Sequence, residues 1–245
     1  MNGRLRPLLR GLSTVLIVAG GLLLADAVTT LLWQEPISAF FAQQDQNRLA
    51  GDLKTLEKAP PTGLEQRALS VLDDPTQRIA FLARTLRRRT PEGAAIGRIK
   101  IPKIDANFVV VNGTSTDDLT KGPGLYPQTP FPGVPGTTAI AGHRTTYLAP
   151  FRRIDELDKD DKIEVDMPYG TFTYAVEKRF IVTPTDTWVI HRVDHDRLVL
   201  SACHPLYSAS HRIIIFARLE NVEAKGAAAK GSGNQTLVEK PPALG

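Results

Sequence analysis

The sequence contains very little cysteine, because Cys203 is the only one in 245 residues. A single thiol excludes an intrachain disulfide framework, a cysteine-rich zinc site and a Cys-x-x-Cys redox pair. Two interpretations of Cys203 remain: an inert buried thiol, or a nucleophile that has to stay unpaired.

The chain also lacks the charge pattern of a nucleic-acid-binding protein. Its formal net charge is +4, but the three arginines and one aspartate before residue 34 account for half of that excess. No basic stripe interleaved with aromatic residues is left in the rest of the chain, so nucleic acid is not an expected partner.

One long hydrophobic run is present, the 22 residues from Leu12 to Trp33, in which Asp26 is the only charge. About 20 apolar residues span a bilayer, and arginines that precede the run favour a cytoplasmic N-terminus. We therefore predict a cytoplasmic segment 1–11, a signal-anchor 12–33 with Trp33 at the interface, and an exported remainder. Ala25-Asp26-Ala27 has the form of a signal-peptide cleavage site, so cleavage is the alternative.

Two polar-rich helices are predicted at 36–58 and 64–90, where apolar residues recur near helical spacing on both sides of Pro60–Gly63. We interpret 34–93 as a helical stalk that holds a domain away from the membrane. Docking of one of these helices onto that domain remains an alternative.

The pattern changes to alternating apolar and polar residues at about Ala94. Gly/Pro-rich turns separate eight β-type runs, which are 96–101, 108–111, 138–141, 162–165, 171–176, 180–183, 198–202 and 213–219. We predict an all-β fold, an eight-stranded β-barrel over 94–222. The small, polar and Pro/Gly-rich tail 223–245 is predicted to be disordered.

The strongest local signal surrounds the cysteine. Cys203 ends one apolar run, and Arg212 begins the next after an eight-residue connection. If the two strands pair antiparallel, both residues lie at one rim of the sheet, with opposed Cα atoms about 5 Å apart. A nearby cation favours a thiolate, and a guanidinium can hydrogen-bond an oxyanion.

A cysteine nucleophile also needs a proton donor for its leaving group, and the chain offers five histidines. His143 follows a strand-like segment and a glycine, which favours it. Pattern alone leaves the other four open: His191, His195, His204 and His211. Asp194–Asp196 and the acidic residues between 155 and 161 are interpreted as solvated turns, and neither a metal nor a cofactor is predicted.

Four segments in order resemble the sortase family, most closely the class E sortases of high-GC Gram-positive bacteria. The segments are Gly97–Ile104, Gly122–Pro127, Ala141–Tyr147 and Cys203–Arg212, and the resemblance covers roughly Gly97 to Leu219. It implies a sortase-like barrel behind a transmembrane anchor, acting as a cysteine transpeptidase at the cell membrane. Sortases usually carry Thr-Leu-x-Thr before the cysteine, whereas Val199-Leu-Ser-Ala202 stands here.

The resemblance assigns Cys203 as nucleophile, His143 as general acid/base and Arg212 as the group that holds substrate and oxyanion. Cleavage would fall between Thr and Gly of a Leu-Pro-x-Thr-Gly or Leu-Ala-x-Thr-Gly sorting signal. Tyr126, Ser201 and Ala202 are the candidates for substrate contact, whereas Arg144 and Tyr147 are assigned to structure. The implied partners are secreted proteins with C-terminal sorting signals, and a peptidoglycan precursor or a pilin amine as acceptor.

Two other functions stay open at this point. One is a cell-wall thiol peptidase or L,D-transpeptidase, although the Ser-His-Gly-Cys motif usual in the latter is absent. The other is a non-catalytic barrel that binds sorting signals. The sequence leaves open the second residue of the signal, the acceptor amine, the choice between anchoring and pilin polymerisation, and the oligomeric state.

Overall fold

The computed structural model describes residues 5–32, 36–229 and 237–238 of the chain. The first helix, α1 (Leu5–Leu32), is 28 residues long, about 42 Å. Its segment Leu9–Val28 has a mean hydropathy of 2.0 and lies exposed, so it is long and apolar enough to cross a membrane. Trp33, the predicted interfacial anchor, lies outside the described residues.

The second helix, α2 (Pro36–Lys58), packs along the barrel, as the docking alternative had it. Leu49 and Leu53 are buried in a cluster with Val109 and Val111 of a barrel strand. The buried amide of Gln46 donates to the Val109 and Lys121 carbonyls at 3.1 and 2.8 Å and accepts from the Val109 N–H at 2.8 Å. This helix is therefore fixed to the domain along its length.

The helix expected over 64–90 is two helices, α3 (Gly63–Leu69) and α4 (Pro75–Arg89). Thr62 and Glu65 form a capping box at the start of α3. Asp74 caps α4 ahead of Pro75, a residue that fits the first turn of a helix but not its interior. The apolar side of α4, with Ile79, packs into the barrel core.

Nine strands, two short α-helices and three 3-10 turns (Pro102–Ile104, Ile154–Glu156 and Thr187–Ile190) follow in the described residues. The bounds are β1 (Ala95–Ile101), β2 (Ala106–Asn112), α5 (Thr116–Lys121), β3 (Gly124–Leu125), β4 (Thr137–Ala141), β5 (Lys162–Met167), β6 (Gly170–Val182), β7 (Arg197–His204), β8 (His211–Ala224), α6 (Gly226–Ala229) and β9 (Leu237–Val238).

The strand order is β6-β5-β1-β2-β3-β4-β7-β8-β9, and β6 also pairs with β8. This second pairing closes β1–β8 into the predicted eight-stranded barrel. The pair β4–β7 is parallel, and β7–β8 is antiparallel. Leu198, Leu200 and Ala202 point into the main core, as do Ile213 and Ile215 of β8.

Two strands differ from the prediction. The runs 171–176 and 180–183 form one strand, β6, which passes the charged residues 177–179 with a bulge. Strand β3 has only two residues, too few to show an alternating pattern in the sequence. It pairs with β2 on one side and with β4 on the other.

The chain after residue 222 is ordered where it is described. Strand β8 continues to Ala224, and Ala228 in α6 is fully buried against the core. The guanidinium of Arg78 donates to the Ala227 and Ala228 carbonyls at 2.7 and 3.1 Å. The expectation of disorder is thus wrong for 223–229, because small residues can close a core; residues 230–236 and 239–245 lie outside the described part.

Candidate active site

Cys203 and Arg212 lie opposite each other where β7 ends and β8 begins. Side chains alternate along a strand, and Ala202 and Ile213 face the interior, so Cys203 and Arg212 share the outer face. Arg212 donates from one Nη to the Ala209 and His211 carbonyls at 2.9 and 3.0 Å. A thiol and a guanidinium therefore border the same partly exposed surface.

His143 lies on the other side of the cysteine strand. Ala141 of β4 is paired with Ser201 of β7, and the Gly142 N–H donates to the Ser201 carbonyl at 3.0 Å. His143 is thus level with Cys203 on a neighbouring strand end, and neighbouring strands lie about 4.8 Å apart. Three adjacent strand ends place His143 and Arg212 on either side of Cys203.

Gly142 is required by a close approach in this turn. A Cβ atom built there would lie 2.6 Å from a ring atom of Phe151, closer than atoms of this kind can approach. Glycine lets the chain pass this buried ring and leave β4 toward the outer face.

The imidazole of His143 is half-buried and packs against the ring of Tyr147 at a tilt of 40°, with ring centroids 5.2 Å apart. Its Nε2 is buried and has no hydrogen-bond partner within the described residues. Burial lowers the pKa of His143 below its usual value, since the charged form loses hydration. A neutral imidazole can accept a proton from a thiol and pass it to an amine.

Of the other four histidines, His204 is nearest to Cys203 in sequence, but the alternation of the strand turns it to the opposite side. Its Nδ1 lies 3.4 Å from a guanidinium nitrogen of Arg144. The Nδ1 atom of His211 lies 3.0 Å from the Ser210 hydroxyl, and that of His195 lies 2.9 Å from the Asp194 carboxylate. The backbone N–H of His191 donates to the Trp188 carbonyl. The pairing of β4 with β7 thus places His143 level with Cys203.

Arg144, which the sequence analysis assigned to structure, connects the two sides of the site. Its side chain is 2% exposed and forms a 2.6 Å ion pair with Asp155. It also donates to the Arg152 carbonyl at 3.1 Å and reaches His204 beside the cysteine. The residue after His143 is thereby tied to the residue after Cys203. Nothing in the sequence around Arg144 indicates that this arginine is buried.

The loop after His143 also contacts the N-terminal helix. Tyr147, Leu148 and Ala149 have left-handed φ angles of 51°, 64° and 43°. The N–H of Tyr147 donates to the hydroxyl of Ser38 in α2 at 3.1 Å. A strained loop of this kind persists only where its surroundings hold it.

The three candidates for substrate contact fall on two faces. Tyr126 packs beside a cluster on the outer face of the sheet, here called the outer-face cluster, formed by Ala139, Val182, Val189, Val199, Ile214 and Phe216. Ser201 also belongs to the outer face by alternation. Ala202 does not: its methyl lies in the interior core, so only its backbone remains for contact with substrate.

The connection between β6 and β7 adds a residue that the sequence analysis missed. Trp188 is 46% exposed, and it packs edge-on against Phe180 and Phe216 of the outer-face cluster. Arg197 holds this connection through bonds to the Val189 and His191 carbonyls at 3.2 and 3.0 Å. An exposed aromatic surface therefore lies on the face that carries Cys203.

Three of the five acidic residues between 155 and 161 have structural partners. Asp155 pairs with Arg144, Glu156 pairs with Arg153 at 2.8 Å, and Asp161 accepts from the Asp158 N–H at 2.9 Å. Each of these carboxylates therefore stabilises the turns around it.

Comparison with known proteins identifies relatives of the chain. A family model described as "Sortase domain" matches residues 99–220. Sortase D of Bacillus subtilis is 39% identical over 131 residues, which are 51% of this chain and 64% of that protein. Sortase SrtE1 of Streptomyces coelicolor is 28% identical over 152 residues, 55% of this chain and 43% of that protein. The chain thus spans less than two thirds of the length of either relative.

Solved structures agree with this assignment. Sortase E of Streptomyces avermitilis is 30% identical with a TM-score of 0.51, over 57% of this chain and 99% of that chain. A sortase D5 transpeptidase of Clostridium perfringens has a TM-score of 0.58 at 24% identity, over 72% and 98% of the two chains, and supports the fold. Since relatives named sortase D and sortase E both match, the class E assignment stays a prediction.

Proposed function

Because the chain belongs to the sortase family, we propose that it is a membrane-anchored cysteine transpeptidase. Its substrate would be a secreted protein with a C-terminal signal of the form Leu-Ala-x-Thr-Gly or Leu-Pro-x-Thr-Gly. The observation that carries the proposal is the position of Cys203 between Arg212 on one neighbouring strand and His143 on the other.

In the first half-reaction, the sulfur of Cys203 attacks the carbonyl carbon of the threonine in the Thr–Gly bond. His143 takes the thiol proton, and Arg212 hydrogen-bonds the developing oxyanion. Collapse of the intermediate breaks the C–N bond, and His143 gives its proton to the departing glycine amine. The products are a thioester on Cys203 and a free C-terminal fragment.

In the second half-reaction, an acceptor amine attacks the thioester carbonyl. His143 accepts a proton from this amine, an amide bond forms, and the sulfur of Cys203 leaves. The acceptor would be a peptidoglycan precursor or a pilin amine. A histidine whose Nε2 has no partner among the described residues suits both directions of proton transfer.

The outer-face cluster supports the peptide-binding part of the proposal. Trp188 and Tyr126 offer aromatic surface for an apolar signal residue, whereas Ser201, next to the strand end, is only 5% exposed. Ala202 would contribute through its backbone, since its side chain is interior.

The membrane part rests on α1 and the charges around it. Arg4, Arg6 and Arg10 precede the hydrophobic run that begins at Leu12, which favours a cytoplasmic N-terminus and an exported barrel. The enzyme would then meet its substrates outside the membrane, where the acceptor amines also lie.

The test uses the purified full chain in detergent micelles with a panel of fluorogenic sorting peptides, varied at the second position, and a set of amine acceptors. We expect cleavage between Thr and Gly by the parent and none by Cys203→Ala. Binding of peptides without cleavage by the parent would favour a non-catalytic barrel that only recognises sorting signals.

A further inference from the structure

The first turns of α2 expose three large apolar side chains. Ile37, Phe40 and Phe41 are 64%, 69% and 59% exposed. The two phenylalanine rings pack edge to face, with centroids 5.6 Å apart. Adjacent exposed aromatic and aliphatic residues on a docked helix indicate an interaction surface.

This exposure is confined to one end of the helix. The side of α2 that faces the barrel is buried, from Ser38 and Ala42 to Leu53. Beyond Phe41, the exposed side chains described on α2 are polar or charged, and they are Gln43, Gln44, Asn47, Arg48, Asp52, Lys54, Thr55, Glu57 and Lys58. The apolar patch therefore belongs to the end of α2 that follows α1.

The chain between the two helices is too short to carry this patch far from α1. Helix α1 continues four residues past Val28 to Leu32, about 6 Å. Ile37 is five residues after Leu32, so the two Cα atoms are at most about 19 Å apart. The interfacial region of a bilayer begins where the hydrocarbon core of about 30 Å ends.

We propose that Ile37, Phe40 and Phe41 form a second membrane contact, inserted into the lipid interface next to the transmembrane span. The proposal rests on the proposed anchoring by α1. Its occupant is the lipid bilayer, because the patch is continuous with the span and ends where polar side chains begin. Burial of the three side chains in the headgroup–acyl boundary removes their apolar surface from water.

This contact has a consequence for the active site. Ser38 lies between the inserted residues, and its hydroxyl accepts the Tyr147 N–H at 3.1 Å. The ring of Tyr147 packs against His143. Gln46 fixes the same helix to β2 and to the end of α5. The membrane contact thus sets the loop that follows His143 at a fixed height above the bilayer.

The test measures depth in the full chain. Single-cysteine variants Phe41→Cys, Phe40→Cys, Ile17→Cys and Lys54→Cys are made in the Cys203→Ala background and labelled with the fluorophore NBD. They are reconstituted into phosphatidylcholine/phosphatidylglycerol vesicles that contain lipids with a doxyl quencher at carbon 5 or carbon 12. Ile17 reports insertion of α1, and exposed Lys54 lies about 20 Å further along α2 than Phe41.

We expect the shallow quencher to reduce the Phe40 and Phe41 signals at least twofold, and more than the deep quencher does. Ile17 should respond more to the deep quencher, and Lys54 to neither. If Ile17 were quenched while Phe40 and Phe41 were quenched no more than Lys54, the second membrane contact would be overturned, but anchoring by α1 would still hold. An unquenched Ile17 would overturn both. If the label at Phe41 were shielded from water but not quenched, and became exposed on dilution into excess lipid, the patch would instead contact a second copy of the chain.

Discussion

Cys203 and Arg212 are directly opposed residues of the antiparallel pair β7–β8, and both face outward from the barrel. A connection of six residues, 205–210, joins the two strand ends, so the pair is fixed by local chain geometry. The proposed role of the guanidinium, a hydrogen bond to a carbonyl oxygen bound at the cysteine, rests on this pairing.

Replacement of this guanidinium should therefore impair the reaction and spare the fold. We expect Arg212→Ala to lower kcat/KM for a sorting peptide by about 10²- to 10³-fold, the usual effect of losing one oxyanion donor. Arg218→Ala is the matched control, because Arg218 lies on the same strand and pairs with Glu177 at 2.9 Å. Equal activity of the two variants in steady-state assays would argue against the role of Arg212.

The buried position of His143 predicts how it titrates. Burial lowers its pKa below the ordinary value of about 6.5. Between the folded pKa and 6.5 the unfolded chain binds a proton that the folded chain does not, so the free energy of unfolding falls as pH is lowered through this interval. An NMR titration of the imidazole, assigned with His143→Asn, should give a midpoint below 6.5. A midpoint at or above 6.5 would contradict this description of the site.

We expect replacement of Arg144 to change turnover although this side chain does not contact substrate. With 2% of its surface exposed, it acts by tying the His143 loop to His204. Misplacement of a catalytic group by about 1 Å can cost up to 10²-fold. We expect Arg144→Met to lower kcat by about 10- to 100-fold with KM nearly unchanged.

Arg153→Met is the control for Arg144, since Arg153 is a half-exposed neighbour that pairs with Glu156. It should leave both constants unchanged. If Arg144→Met raised KM alone, or matched Arg153→Met, the positioning role would be wrong.

The docking of α2 predicts a stability effect far from the reaction centre. Gln46→Ala leaves the Val109 N–H and two carbonyls without their partner, which costs about 1–3 kcal/mol in the free energy of unfolding. Gln43→Ala, on the exposed side of the same helix, should stay within about 0.5 kcal/mol. Denaturant unfolding followed by circular dichroism compares them, and equal stabilities would mean that α2 does not stabilise the barrel.

The barrel and the cysteine–arginine pair were predictable because their signals are local. Strand alternation and the glycine and proline turns can each be recognised within a few residues of sequence. Cys203 and Arg212 are themselves only nine positions apart. The choice of His143 was not settled by pattern, because its position depends on the parallel pairing of β4 with β7, whose residues Ala141 and Ser201 are 60 positions apart. The family resemblance pointed to it instead.

The helix α2 shows a second limit. Its apolar residues Ile37, Phe40 and Phe41 recur near helical spacing but are exposed, whereas the first turns of the docked side carry Ser38, Ala42 and Gln46. In those turns, ahead of the buried Leu49 and Leu53, hydrogen bonds at Ser38 and Gln46 take the place of apolar contacts. Hydrophobic periodicity does not register such an interface.

Ala202 shows how a motif and a geometry can differ. Comparison with the usual sortase pattern made this position a candidate for substrate contact, whereas alternation along β7 places the methyl in the interior core. The sequence shows that Ala202 shares a strand face with Leu198 and Leu200, since the three residues stand at even spacing. It does not show which face of the strand lies toward the core.

The central claim is that Cys203 forms a thioester with the threonine carbonyl of a sorting signal. Intact mass spectrometry of the full chain, after brief incubation with a sorting peptide and no added amine, tests it directly. We expect a mass increase equal to the acyl fragment that ends in threonine, located on Cys203 by fragmentation, removed by an amine acceptor and absent in Cys203→Ala. Cleavage of the peptide by Cys203→Ala, or an adduct on a residue other than Cys203, would contradict the account.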